Sequence, residues 1–199
     1  MRKLLSLVLI AAGGYLLFLG AREYIESKRG QSEIAHRMKQ RRADAPPAAE
    51  SPAIAPPVLE PGDPVGRLVI PRLNAQMYVV QGIGRKELRR GPGRLEGSAY
   101  PGTRGNCVIA GHRDTHFRVL KDIRKGDEIV LDTPQGEFLY RVIHLDIVSP
   151  RDTSSLRPTR KPVLNLITCY PFYYVGSAPK RFVVHAELAG AILPGKSPS

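Results

Sequence analysis

The sequence predicts an all-β domain of seven to eight short strands, built as a barrel or a sandwich and preceded by an N-terminal helix. From Val65 onward, short runs of β-branched and aromatic residues are bounded by Gly, Pro and Asp, which is typical of strands joined by tight turns. About 125 residues hold these runs, a length that suits a barrel or sandwich. Two stretches, RKELRR and THFRVLKDI, can each form one or two helical turns.

The N-terminus predicts a membrane helix. Arg2 and Lys3 precede an uncharged apolar stretch, Leu4 to Ala21, which as a helix crosses most of a hydrocarbon core of about 30 Å. A cleavable signal needs small residues before the cut, yet Phe18 or Leu19 would occupy the third position. We therefore expect residues 1–21 to remain as an anchor. Because short N-terminal tails usually stay inside, the rest of the chain is expected outside the membrane.

A linker is predicted between this anchor and the β-domain. Arg22 to Arg42 is polar and basic with weak apolar spacing, so we expect a solvated helix or charged spacer. Ala43 to Pro64 is rich in Ala and Pro and should be an extended, semi-rigid spacer. The predicted organisation is an anchor at 1–21, a stalk at 22–62, a β-domain at 63–190 and a flexible tail at 191–199.

The formal charge of +12 and the pI near 10.0 predict anionic partners. Behind a membrane anchor, anionic lipid headgroups or wall polymers are the expected neighbours. No basic run is interleaved with aromatic residues, so nucleic acid is not expected as a partner.

The predicted strands follow one another closely along the chain. A turn at Asp132–Gly136 (DTPQG) separates the fourth run from the fifth. In chain order the runs are GRLVIP, QMYVVQG, NCVIAG, DEIVLDT, GEFLYRVIHLDIVS, VLNLITC and RFVVHAEL.

Three reactive side chains are expected close together, two because of strand parity and one because it follows the end of a strand. In VLNLITC, Asn165 and Cys169 share one face, and in RFVVHAEL the apolar residues face the core, which turns Arg181 outward. If these strands pair, Cys169 and Arg181 meet on the outer surface. NCVIAG ends at a glycine followed by His112, beside a loop. A thiolate nucleophile, an imidazole acid and a guanidinium that donates to an oxyanion together predict acyl transfer through a thioester.

These residues carry a resemblance to the sortase transpeptidases. The segments Leu166-Ile167-Thr168-Cys169 and Ala110-Gly111-His112, with Arg181 downstream, resemble the family's Thr-Leu-x-Thr-Cys motif and its distant His and Arg. The stretches GHRDTHF and TCYPFYYVGSAPKRFVV are most similar to class D sortases. The resemblance covers Val65 to about Leu188 and implies a closed, eight-stranded β-barrel behind a membrane anchor.

The resemblance also implies the reaction and its residues. Cys169 would be the nucleophile, His112 the acid and base, and Arg181 the oxyanion or substrate clamp. Asn165 would contact substrate, and Thr168 would have a structural or substrate-positioning role. Asn165 stands where the family's motif begins with Thr. The substrate would be a protein with a Leu-Pro-x-Thr-like sorting signal, cleaved after Thr. The acceptor would be an amine of a peptidoglycan precursor or a pilin lysine, and the expected enzyme is a monomer without cofactor or metal.

Three other interpretations compete. The first is a non-catalytic β-domain that binds anionic wall polymer and is stapled by a Cys107–Cys169 disulfide. However, Cys107 and His112 are five residues apart, about 16 Å along a strand, so Cys107 should be out of reach of a cysteine beside His112. The second is a cysteine hydrolase or a peptidoglycan L,D-transpeptidase, although the latter's Ser-x-Gly-Cys pattern is absent around Cys169. The third is a metal site formed by His112, Asp114, His116 and a cysteine.

Overall fold

Eight strands close into a β-barrel in the computed structural model, which describes residues 2–43, 56–174 and 176–192. Around the barrel the order is β1-β2-β3-β4-β7-β8-β6-β5, and pairing of β1 with β5 closes it. This confirms the predicted strand number and selects the barrel over the sandwich. The strands are β1 Pro64–Ile70, β2 Ala75–Gln81, β3 Gly93–Arg94, β4 Gly105–Gly111, β5 Glu128–Thr133, β6 Gly136–Val148, β7 Pro162–Tyr170 and β8 Lys180–Ile192.

Helices lie before the barrel and in its connections. The N-terminal helix α1 spans Arg2–Ala43 and the short helix α2 spans Arg85–Arg90, as RKELRR predicted. Three 3-10 helices cover Pro71–Leu73, His116–Asp122 and Ser154–Leu156. In the described part of the chain, no helix meets the combined length and hydropathy of a membrane span.

The strand registers bring three chain segments to one end of the barrel. β4 and β7 run parallel with Gly111 opposite Thr168, and β7 and β8 run antiparallel with Cys169 opposite Arg181. β7 ends at Tyr170, and the peptide bond to Pro171 is cis. The end of β4, the end of β7 and the start of β8 therefore lie side by side.

The barrel interior is filled by alternate residues of every long strand. The alternation predicted for β7 and β8 is observed, with Leu164, Leu166, Val184 and Ala186 in the core. The 3-10 helix His116–Asp122 adds Phe117 and Leu120, both fully buried. Other fully buried side chains are Leu68, Ile70, Ile109, Ile129, Leu131 and Phe138.

Gly111 allows the Phe117 ring to pack directly against the end of β4. A Cβ atom at position 111 would lie 2.7 Å from a ring carbon of Phe117, closer than any real contact of this kind. The glycine is therefore needed for packing, and it fixes where His112 leaves the strand.

The second half of α1 packs against the barrel, which corrects the predicted solvated spacer. Gly30, Ile34 and Met38 recur every four residues on one helix face and are buried. A Cβ at Gly30 would approach the Cα of Arg90 to 2.7 Å, so the helix touches α2 through backbone. Only three apolar positions mark this face, and polar contacts complete the interface.

The polar contacts of α1 are led by Gln31. Its Nε2 donates to the carbonyl oxygens of Tyr78, at 3.0 Å, and Arg90, at 2.8 Å, and its Oε1 accepts from the Tyr78 amide at 2.7 Å. Arg37 and Arg41 both pair with Asp63, at 2.6 and 2.7 Å. Of the predicted Ala/Pro-rich spacer, residues 44–55 lie outside the described residues, as does most of the predicted tail, 193–199.

Candidate active site

Cys169 and Arg181 are direct neighbours across the β7–β8 ladder, as strand parity predicted. The Cys169 thiol is free and partly exposed. Arg181 is half-buried, and its Nη1 donates to the carbonyl oxygens of Lys180, at 3.0 Å, and Ala178, at 3.3 Å. These backbone contacts keep the guanidinium at the end of the barrel where the thiol lies.

His112 lies at the same end, one residue beyond the end of β4. Its side chain is exposed, while its carbonyl oxygen accepts from the amide of Phe117 at 3.0 Å and so closes the turn that follows. Since Gly111 is the register partner of Thr168, His112 follows β4 beside the position of Cys169 on β7. The three residues predicted as catalytic are thus grouped at one end of the barrel.

Thr168 is 2% exposed, and its hydroxyl donates to the carbonyl oxygen of Gly111 at 2.7 Å. The predicted role of Thr168 was structural or substrate-positioning, and its burial favours the structural role over a direct substrate contact. Its side chain faces the core side of β7 and links the strand of Cys169 to the strand that precedes His112.

Asn165 was also predicted to contact substrate, and the structure corrects this expectation. It is 5% exposed, and its Nδ2 donates to the side-chain oxygen of Asn106, at 2.9 Å, and to the Ser155 carbonyl, at 2.8 Å. Asn106 donates in turn to the carbonyls of Ser155, at 2.7 Å, and Arg157, at 3.0 Å. Parity put Asn165 on the outer face correctly, but the loop 149–161 covers that face.

Arg113 holds the loop that follows Cys169 and β7. Its guanidinium donates to the carbonyls of Pro171, at 3.1 Å, Tyr174, at 2.8 Å, and Gly176, at 3.2 Å, and lies 5.7 Å from the centre of the Tyr174 ring. Sequence reasoning missed this role. The only signal was the position of Arg113 directly after His112.

Cys107 does not form the alternative disulfide. Both cysteines are free thiols, and Cys107 pairs in register with Leu164, five residues from Cys169 along β7. Full burial raises the pKa of Cys107 to about 12, so its reactive thiolate form is suppressed. The stapled binding domain therefore has no support.

His116 and Asp114 complete the surroundings of His112. Burial, and to a smaller extent the charge of His112, lower the pKa of His116 to about 4, and its Nε2 shares a 3.0 Å hydrogen bond with the hydroxyl of Ser27 on α1. Asp114 is exposed beside His112 in one pocket. Among the described residues, no three His, Cys, Asp or Glu side chains are grouped to hold a metal ion.

Comparisons of the sequence and of the structure found similar known proteins. Residues 68–189 match the family model described as Sortase domain. Sortase D of Bacillus subtilis (strain 168) is 34% identical over 197 residues, covering 94% of this chain and 98% of that protein. The catalytic domain of Bacillus anthracis SrtD is 30% identical with a TM-score of 0.59, covering 71% and 97% of the two chains. A Clostridium perfringens Sortase D5 transpeptidase shares the fold, with a TM-score of 0.66 at 23% identity, covering 83% and 99%.

Proposed function

The chain belongs to the sortase family and is a sortase-type cysteine transpeptidase, and on this premise we propose that it cleaves a C-terminal sorting signal of the Leu-Pro-x-Thr type. The acyl group is then transferred to an amine of the cell envelope or of a pilus subunit. The observation that carries the proposal is the pair of registers that sets Cys169 opposite Arg181 and Thr168 opposite Gly111, directly before His112.

In the first half of the proposed reaction, the Cys169 thiolate attacks the carbonyl carbon of the signal's Thr. Arg181 donates hydrogen bonds to the oxyanion that forms. The C–N bond breaks, and the imidazolium of His112 gives its proton to the departing amine. The product is a thioester on Cys169 and a released C-terminal peptide.

In the second half, an acceptor amine attacks the thioester carbonyl. His112, now neutral, takes the proton of the incoming amine, and the C–S bond breaks to return the thiolate. The acyl group ends on the acceptor through a new amide bond. No oxidant, reductant or further reactant is required.

We also propose that the catalytic barrel acts on the outer side of a membrane to which the N-terminal helix anchors it. The support is the composition of Leu4 to Ala21, which holds no charged residue and is flanked by Arg2 and Lys3 on one side and Arg22 on the other. Protease protection of the full-length protein in sealed membrane vesicles tests this orientation.

The experiment for the reaction uses the full-length chain in mild detergent with quenched peptides that contain Leu-Pro-x-Thr, with x varied. We expect cleavage after Thr and a covalent acyl-enzyme on the peptide that holds Cys169, both detected by mass spectrometry. Cys169→Ala should lower cleavage at least about a thousandfold, and Arg181→Ala about a hundredfold. Cys107→Ala is the matched control and should retain activity because its thiol is buried. An acyl adduct on Cys107 would refute the assignment.

A further inference from the structure

A pocket of about 250 Å³ opens beside His112, where α1, α2 and the turn after β4 meet. Three elements contribute to its wall, and the catalytic residues other than His112 are not part of it. The polar side chains that line it are Glu26 and Ser27 from α1, Arg85 and Arg89 from α2, and His112 and Asp114 from the turn.

The side chains that line this pocket carry charges of both signs. Glu26 and Asp114 are acidic, Arg85 and Arg89 are basic, and all four are exposed. The ion pairs found among the described residues include none of these four side chains. A ligand that carries both an ammonium and a carboxylate would pair with both kinds of charge. Ile83 and Leu88 add apolar surface to the same wall, which suits an aliphatic stem between the two groups.

The position of the pocket matches a step of the proposed reaction. The acceptor amine must reach the thioester where His112 can take its proton, so its binding site must adjoin His112. Arg113, the next residue, donates hydrogen bonds to the Pro171 and Tyr174 carbonyls in the loop after β7. The pocket wall therefore places a ligand within reach of the residue that acts as base.

The α1 wall is fixed to the barrel at several points. Ser27 is hydrogen-bonded to His116, and Gln31 makes three hydrogen bonds to the backbone of β2 and α2. Glu26, adjacent to Ser27, is thereby held at the pocket. A barrel without this helix would lack one acidic wall of the pocket.

We propose that this pocket, here called the acceptor pocket, binds the incoming amine, and that its preferred ligand is an aliphatic primary amine that also carries a carboxylate. Glu26 and Asp114 attract the ammonium, and Arg85 and Arg89 bind the carboxylate. Before the attack, the bound ammonium releases one proton to solvent. The resulting amine attacks the thioester carbonyl, its second proton passes to His112, and the C–S bond breaks to release the thiolate. This inference rests on the proposed transpeptidase function and adds to it the acceptor class and the site.

The test measures how the acyl-enzyme divides between amine and water. Full-length protein is given a quenched Leu-Pro-x-Thr peptide with either ε-aminocaproate or hexylamine, and the amide and hydrolysis products are quantified by mass spectrometry. We expect ε-aminocaproate to be used about tenfold better than hexylamine. Arg85→Ala with Arg89→Ala should bring the two acceptors to parity, and Glu26→Gln should reduce the use of both. Lys86→Ala, on the same helix but outside the pocket, is the matched control.

Two results would overturn the acceptor pocket. One is equal use of the two amines by the unaltered protein, and the other is an unchanged preference in the double arginine variant. Faster peptide cleavage in Glu26→Gln without a change in product ratio would mean that α1 covers the donor groove instead. Peptide cleavage itself reports on the proposed function separately, because Glu26, Arg85 and Arg89 take no part in acylation.

A binding measurement tests whether the acceptor pocket binds the proposed ligand, even if no peptide is cleaved. The Cys169→Ala protein, labelled at Ile and Leu methyl groups, is titrated with ε-aminocaproate and with hexylamine. Shifts at Ile83 and Leu88 with the amino acid, lost on substitution of Arg85 and Arg89, support the proposal. Shifts elsewhere, or none, contradict it.

Discussion

The hydroxyl of Thr168 donates a 2.7 Å hydrogen bond to the carbonyl oxygen of Gly111, so the residues that directly precede Cys169 and His112 are bonded to each other. This buried contact joins two parallel strands at the last pair of their register. It sets the spacing between the proposed nucleophile and the proposed base, and neither of their side chains takes part in the bond.

Replacement of Thr168 by Val should remove this bond with little change in shape. The Gly111 carbonyl would then be left without its side-chain donor, so we expect a loss of about 1–2 kcal/mol in unfolding free energy. The maximal rate of peptide cleavage should fall about tenfold or more, because small displacements of catalytic groups are costly. Urea unfolding and steady-state kinetics measure the two effects, with Thr168→Ser as the control that keeps the hydroxyl. Normal kinetics in Thr168→Val would show that the bond is only structural.

Asn106 and Asn165 should behave as one unit. Both side chains donate to the Ser155 carbonyl, and Asn165 also donates to the side-chain oxygen of Asn106. Asn165→Ala leaves that buried oxygen without its donor and should cost about 2 kcal/mol. The double variant should be less destabilised than the sum of the two single variants, by about 1 kcal/mol. Chemical denaturation of the four proteins measures the coupling. Additive effects would argue against a shared network.

His116 should make the protein less stable in acid. A histidine in the unfolded chain titrates near 6.5, whereas burial lowers the pKa of His116 to about 4 in the folded protein. Between these values the unfolded chain binds a proton that the folded chain does not, so stability is present above pH 6.5 and lost as pH falls toward 4. The expected loss is about 2–3 kcal/mol.

Urea unfolding at several pH values checks this expectation. His116→Gln should show a shallower decline between pH 6.5 and 4 than the unaltered protein. His36→Gln is the control, since His36 is exposed on α1. Identical slopes for His116→Gln and the unaltered protein would contradict the role given to burial.

Gly30 should be required for the docking of α1. A Cβ atom there would lie 2.7 Å from the Cα of Arg90, so Gly30→Val should push the helix away from α2. We expect faster hydrogen exchange and faster tryptic cleavage at Arg37 and Arg41, while the barrel stays folded. A substitution at Gly190 is the matched control, because no atom lies within 4 Å of a Cβ placed there. Gly126 is unsuitable as a control because its φ is positive. Unchanged proteolysis in Gly30→Val would contradict the packing.

The strands were largely predictable because alternation and turn residues are local signals. All seven predicted runs are strands in the structure. The eighth strand, β3, was not predicted, because its two residues, Gly93 and Arg94, are too few to show a pattern. Parity likewise placed Cys169 and Arg181 on the same outer face. These properties depend on positions within one or two strands, so they can be read from the sequence.

Long-range contacts were not predictable in the same way. Asn165 is buried because an irregular loop covers it, and the sequence of that loop has no pattern that predicts the contact. The docked face of α1 has only Gly30, Ile34 and Met38 as its apolar positions, and Gln31 completes it through backbone hydrogen bonds. Arg113 is one of thirty Lys and Arg residues, so its function was visible only once its three carbonyl partners were placed.

The helix α1 is continuous from the apolar stretch to the part that packs on the domain. Gly30, where the helix contacts α2, lies nine residues beyond Ala21, the last residue of the apolar stretch, and this corresponds to a rise of about 14 Å. A docked helix transmits its orientation to the barrel, unlike a flexible tether. If the apolar stretch is held in a membrane, the active site is confined to a thin layer above the surface at a fixed tilt. A substrate would then have to present its sorting signal within that layer while its own chain is still close to the membrane.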